Sequence, residues 1–188
     1  TPTIGGVGLL KNYKNMITMN FKDIGNQVLL IGKTEGHIDQ SLFARVILDE
    51  KKGPPPEVNL FNEKNNGETL LNLIEKNYIK SAHDISLGGT MTAVSKMCIK
   101  GNKGIKLKKP KYLISEIEYF FGEDQGRYLI EVNPKDLKEV INILNKNSVH
   151  YDEIGTIIEN VIEINQKTKV TIDELRSYNT SWLKKYMA

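Results

Sequence analysis

One cysteine, one tryptophan and no long apolar run set the first limits on this 188-residue chain. Cys98 has no second cysteine to bridge with, so a disulfide framework is excluded and a reducing, cytoplasmic setting is expected. No stretch reaches the ~18 apolar residues of a membrane span, and the N-terminus lacks the basic-then-apolar layout of a secretory signal. Three scattered histidines and one cysteine do not make a zinc site of the usual spacing. No Gly-x-Gly-x-x-Gly occurs, and no Lys-Ser or Lys-Thr follows a glycine loop at Walker spacing. Charge of one sign is missing too. The 26 basic and 23 acidic residues leave a net +3, too small and too dispersed to indicate a nucleic-acid partner.

What is present is an ordinary globular composition, 39% hydrophobic and 26% charged. A chain of this size buries roughly 70% of its unfolded surface, enough for a core without covalent staples. Apolar periodicity alternates between two and 3.6, the pattern of a sheet-plus-helix fold. Strands are expected at 17–21, 27–31, 79–83, 118–121, 127–132 and 149–158, with a hairpin over 161–172. Helices are expected over 38–49, around 70–77, from Gly89, over 136–144 and over 173–186. The chain opens Thr1-Pro2-Thr3-Ile4-Gly5-Gly6 without an initiator Met, which reads as a piece of something longer.

The strongest candidate site is Ser81-Ala82-His83-Asp84-Ile85-Ser86-Leu87-Gly88-Gly89, between an apolar strand and an amphipathic helix. An Asp at a strand exit can point into a cleft. Two glycines let a ligand approach the backbone and leave the N–H groups of the next helix facing an anion. A nucleotide phosphate suits that geometry, with Asp84 helping to hold Mg²⁺ through oxygen. The plainer reading is a tight turn in which Asp84 or Ser86 caps the helix and the glycines only make the corner.

The second candidate is Phe120-Phe121-Gly122-Glu123-Asp124-Gln125-Gly126-Arg127-Tyr128. In an extended backbone Glu123, Gln125 and Arg127 share one face and present an acid, an amide and a guanidinium together. The alternative is a glycine-bounded loop with a surface pair between Asp124 and Arg127. Gly32 to Ser41 reads as a strand-to-helix connection. The six lysines between Lys100 and Lys111, followed by Tyr112, read as a solvated loop without a stacking pattern for nucleic acid.

Four segments, in order, carry a family resemblance: Pro2-Thr3-Ile4-Gly5-Gly6-Val7-Gly8-Leu9; Gly36-His37-Ile38-Asp39-Gln40-Ser41-Leu42 with Pro54-Pro55-Pro56; His83-Asp84-Ile85-Ser86-x-Gly88-Gly89; and Phe121-Gly122-Glu123-Asp124-Gln125-Gly126-Arg127-Tyr128. Together they resemble the C-terminal domains of the aminoimidazole ribonucleotide synthetase-like superfamily. Within it they resemble the synthetase subunits of phosphoribosylformylglycinamidine synthases. His-Asp-x-Ser alone is shared with selenophosphate synthetase and thiamine monophosphate kinase. The resemblance implies an α+β fold, a three-layer α/β/α domain with a mixed β-sheet, over residues 16–188, with 1–15 leading in from a preceding domain.

By resemblance the parent enzyme is an ATP-dependent carbon–nitrogen ligase of purine biosynthesis. It converts formylglycinamide ribonucleotide to formylglycinamidine ribonucleotide with glutamine-derived ammonia, using ATP and Mg²⁺. Its partners are the other domains of its own chain, a glutaminase subunit and a small accessory subunit, with no nucleic acid and no membrane. The resemblance assigns this domain no catalytic residue. It places Asp84, Gly88 and Gly89 toward nucleotide phosphate, Asp84 toward the metal, and His83, Ser86, Glu123, Gln125 and Arg127 toward other ligand groups. The family's usual pattern is His-Asp-x-Ser-Asp-Gly-Gly, and Leu87 stands here where its second Asp is expected. The competing reading is a non-catalytic structural or auxiliary nucleotide-binding half, and the isolated domain is expected to be inactive.

Overall fold

A computed structural model describes residues 3, 5–10, 12–110 and 114–188. Pro2 and Ile4 of the opening motif, and Lys111 and Tyr112 at the end of the lysine run, lie outside the described residues. Along the chain run β1 (Gln27–Ile31), α1 (Leu42–Val46), α2 (Leu60–Glu75), β2 (Ile79–Asp84), α3 (Gly89–Gly101), β3 (Gly104–Leu107) and α4 (Glu116–Phe121). They are followed by β4 (Tyr128–Val132), α5 (Leu137–Lys146), β5 (Tyr151–Ile158), β6 (Val161–Ile164), β7 (Thr168–Thr171) and α6 (Ile172–Met187). The strands form one sheet in the order β2-β4-β1-β5-β3-β6-β7. Its neighbours are antiparallel except for the parallel β3–β6 pair, so the sheet is mixed as expected.

Alternation in the strands separates two cores. Val28, Leu30, Leu129, Ile105 and Ile162 pack against α3, α4 and the first turn of α6 through Val94, Met97, Tyr119, Phe120 and Ile172. On the other face Leu29, Ile31, Ile130, Val132 and Ile79 meet α2 and α5 through Leu70, Leu73, Val140 and Leu144. Among the described residues the second core spans the β2-β4-β1 part of the sheet, with Tyr151 at the start of β5 packed against its edge. Beyond it the same face carries a cross-strand row of Gln27, Thr156, Lys106, Glu163 and Lys169, where Lys106 and Lys169 both lie within salt-bridge distance of Glu163. Three layers therefore hold over one half of the sheet, and the other half has two layers and a polar open face.

Four sequence expectations change. Residues 17–21 form no strand, and Thr18 makes only an isolated bridge to Ser81. The backbone that follows is held by a side chain instead. The Glu131 carboxylate, fully buried, accepts hydrogen bonds from the Lys22 and Asp23 N–H groups, Asn26 Nδ2 and Ser81 Oγ. Residues 118–121 are helical, because Ser115 and Glu118 form a reciprocal capping box that starts α4. The helix expected over 38–49 is cut to α1, bounded by the left-handed residues Gln40 (φ 60°) and Asp49 (φ 53°). The lysine-rich loop contains β3, in which Ile105 and Leu107 point into the core and Lys106 points out.

Candidate functional site

Asp84, Tyr128, Ile31 and Tyr151 are cross-strand neighbours, so β2, β4, β1 and β5 end or begin level with one another. The loops 85–88, 122–127, 32–41 and 148–150 all leave that end of the sheet. The sequence candidates, far apart in the chain, thus converge on one rim.

The two main segments are locked together by backbone and carboxylate contacts. Glu123 Oε1 accepts the Gly88 N–H at 2.7 Å and the Leu42 N–H at 2.7 Å. Gly88 is the N-cap of α3 without any side-chain cap, so neither Asp84 nor Ser86 caps that helix. Gly89, at φ +65°, lies so close to the backbone of Phe120, Phe121 and Gly122 that a Cβ would stand 2.7–2.9 Å from those atoms. Its N–H donates to the Ser86 carbonyl. Asp124 accepts the N–H groups of Glu35, Gly36 and His37 at 3.0–3.1 Å, which fixes the β1 exit loop.

Arg127 lies beneath this knot, 1% exposed. Nε donates to the Asp124 carbonyl, Nη1 to Thr34 Oγ1 and Nη2 to the Gly122 carbonyl. Burial pulls its pKa down, and the nearby Asp124 carboxylate opposes that shift. Glu123, Gln125 and Arg127 therefore do not share an extended face. Glu123 turns toward α1 and α3, Arg127 turns inward, and Gln125 alone is exposed.

Three of the expected site residues remain accessible: the Asp84 carboxylate, 63% exposed, with Ser86 and Gln125. His83 Nδ1 lies 3.1 Å from Asp84 Oδ1, while its Nε2 is buried with no hydrogen-bond partner among the described residues. Burial lowers the His83 pKa, and the Asp84 charge partly offsets the effect. Burial raises the Tyr128 pKa, and the negative charges of Glu63 and Asp84 add to that shift.

Beside this rim is a polar cleft of about 440 Å³ that the sequence reading missed. Asn62, Glu63 and Asn66 of α2, its N-cap Asn59, and Gln125 and Gly126 of the loop before β4 are among the residues that line it, with Asn66 Nδ2 donating to the Gly126 carbonyl at 2.9 Å. The signal was the i, i+3, i+4, i+7 spacing of Asn59, Asn62, Glu63 and Asn66, which puts them on one helix face. Among the described residues no group of three or more His, Cys, Asp or Glu could hold a metal alone. A Mg²⁺ ion that takes one carboxylate and completes its shell with phosphate and water oxygens is compatible with the open Asp84.

Residues 23–165 match the family model described as AIR synthase related protein, C-terminal domain. The chain is 64% identical over 187 residues to the phosphoribosylformylglycinamidine synthase subunit PurL of Pelagibacter ubique, covering 100% of this chain and 26% of that protein. The fold is similar to Thermotoga maritima PurL complexed with FGAR, with a TM-score of 0.73 and 20% identity, over 86% of this chain and 29% of that one. It is also similar to T. maritima PurL complexed with ATP, with a TM-score of 0.68 and 20% identity, over 86% and 27%. The chain spans about a quarter of the length of the curated relatives it matches.

Proposed function

Because the chain belongs to the family of AIR synthase related proteins, as their C-terminal domain, we propose that it works as part of a phosphoribosylformylglycinamidine synthase. That enzyme converts formylglycinamide ribonucleotide to formylglycinamidine ribonucleotide in purine biosynthesis. ATP phosphorylates the formamide oxygen, and glutamine-derived ammonia displaces the phosphate. The observation that carries the reading is the 64% identity to the P. ubique subunit across the whole of this chain. The other domains of the synthetase, a glutaminase subunit and a small accessory subunit are the partners of this proposal, residues 16–188 are its domain, and the cytoplasm is its setting. No helix among the described residues is long and apolar enough to cross a membrane.

Within that enzyme the domain supplies one wall of a polar cleft. Asp84 would hold the Mg²⁺ of a Mg-nucleotide by its open carboxylate, with His83 orienting that carboxylate, and Ser86 and Gln125 would offer hydrogen bonds to polar ligand groups. Bound Mg²⁺ would offset phosphate charge. Gly88, Gly89, Glu123 and Arg127 serve the site by holding its loops rigid, since their polar groups are already engaged. A second reading, a structural half without a ligand, is favoured by Glu123 occupying the Gly88 N–H and by the exposed Leu87 at the mouth of the turn.

The direct test is the polypeptide containing this domain at its full length, assayed for ADP release that requires both formylglycinamide ribonucleotide and ammonia. ADP release indifferent to that substrate would remove the proposal.

A further inference from the structure

The charges that line the polar cleft beside α2 do not cancel. Lys33 is the one lysine or arginine among its described lining residues, and its Nζ lies 2.6 Å from Glu35 Oε1. His150 Nε2 lies 3.8 Å from Asp152 Oδ1. The Asp124 carboxylate is filled by three N–H groups and lies 3.7 Å from Arg127 Nη1. Glu57 and Glu63 remain. Neither carboxylate has a hydrogen-bond donor or a cation as partner among the described residues. Glu63 is half-buried against Gly126, where a Cβ would stand 3.1–3.4 Å from its carboxyl atoms, so the missing side chain leaves room for that charge.

A third acceptor lies beside these two. Asn66 is 7% exposed and spends its Nδ2 on the Gly126 carbonyl, but its Oδ1 takes no hydrogen from any described residue and is not sealed from solvent, so it opens on the cleft that Asn66 lines. The arrangement is held in shape. Asn65 Nδ2 donates to the Asn147 carbonyl and Asn147 Nδ2 donates to Thr69 Oγ1, which ties α2 on both sides of Asn66 to the loop carrying Ser148 and His150. Acceptors fixed in advance cost a ligand little ordering.

Two unpaired carboxylates and a free amide oxygen in a recess focus negative potential and leave every open position an acceptor. A bare phosphate or carboxylate is repelled there, whereas a cation bearing N–H donors satisfies charge and hydrogen bonds together. From these features we infer that the cleft is a binding site for a small organic cation, an alkyl diamine whose ammonium groups are taken by Glu57 and Glu63, with an N–H left for Asn66 Oδ1. The volume of about 440 Å³ lies in the range of small-molecule sites. The charge is local, because the chain as a whole carries +3. The plainer role for both acids is to complement the α2 dipole, yet a helix N-terminus presents only about half an elementary charge against their two. This inference stands apart from the nucleotide reading, which rests on the Asp84 turn.

Calorimetric titration of putrescine into the full-length polypeptide that contains this domain, at low ionic strength and without nucleotide, tests it over about 10 μM to 10 mM. Saturable binding is the expected result, weakened roughly tenfold or more by Glu63→Gln and by Glu57→Gln. Neither carboxylate has a partner to lose, so both variants should melt with the parent. Glu68→Gln removes the same charge from α2 at a residue paired with Lys64 and outside the cleft lining, and should change affinity by less than about twofold. Butanediol, of the same length without charge, should not compete. Absence of saturable binding overturns the inference, as does binding that survives both Glu57→Gln and Glu63→Gln. Equal loss in Glu68→Gln overturns it by reducing the effect to long-range attraction, and a lower melting temperature in the cleft variants with unchanged putrescine affinity leaves the two acids to the helix dipole.

Discussion

The Glu123 carboxylate meets the Gly88 N–H at 2.7 Å across 35 residues of sequence, and the same oxygen takes the Leu42 N–H from α1. One charged acceptor thus ties the start of α1 and the cap of α3 to the loop before β4. A carboxylate shared by two backbone donors is worth more than a neutral contact, and removing it strands both donors.

Glu123→Ala should therefore destabilise the fold by about 2 kcal/mol, with Glu123→Gln costing about half of that because the amide still offers an oxygen. Urea denaturation of the two variants against the parent measures both. Equal stability of all three would mean that water replaces the carboxylate without loss.

The two glycines of the turn can be separated from an ordinary flexible glycine. Gly89 and Gly25 both have positive φ, at +65° and +89°, but a Cβ on Gly25 meets nothing within 4 Å. Gly25→Ala should cost about 1 kcal/mol, the left-handed backbone alone. Gly89→Ala adds a collision with the backbone carbonyls of Phe120 and Gly122, which cannot swing away as a side chain can, and should cost about 3 kcal/mol or more. Thermal melts that place the two variants together would refute the close-packing argument.

These two residues also show what the sequence carried and what it hid. The glycine turn, His83-Asp84 and β2 were legible because strand, turn and helix signals are local and agree. The partners of Glu123 were not, since Leu42 lies 81 residues away and nothing nearby announces it. The expected Glu123-Gln125-Arg127 face assumed an extended backbone, and the buried guanidinium shows how a charged residue in a polar motif can be a structural pin. The helix α4 was hidden by its aromatic composition, although Ser115-x-x-Glu118 carried the start signal. Helix α6 follows its expected boundaries, but periodicity alone could not reveal that its second half lies exposed.

His83 gives a pH dependence with a defined sign. Burial holds its folded-state pKa below the ordinary histidine value, so the unfolded chain binds the proton first as the pH falls. Stability on this account is unaffected above the unfolded value and declines between about pH 6.5 and the lower folded pKa. In His83→Gln that part of the slope should vanish, and the gap between variant and parent should change across the window in the variant's favour as pH falls. Parallel stability curves from pH 7.5 to about 5 would show that the ring is not desolvated.

Asp84 and Leu87 distinguish a ligand-binding wall from a structural relic. Asp84 is open, and its replacement by Asn preserves size and the capacity to pair with His83, so folding should hardly change. If its charge holds a Mg-nucleotide, Asp84→Asn in the full-length polypeptide should weaken binding of a labelled ATP analogue by about 1 to 3 kcal/mol, and only when Mg²⁺ is present. Leu87 is 60% exposed beside Gly88, so an Asp there needs no repacking. Leu87→Asp adds a second carboxylate to the rim and should raise Mg²⁺-dependent affinity if phosphate and metal reach this turn. The same charge should lower affinity for a metal-free nucleotide through repulsion, a sign reversal that added bulk alone would not produce. Unchanged affinity in both variants, with and without Mg²⁺, would leave the rim as a scaffold whose carboxylates serve only the fold.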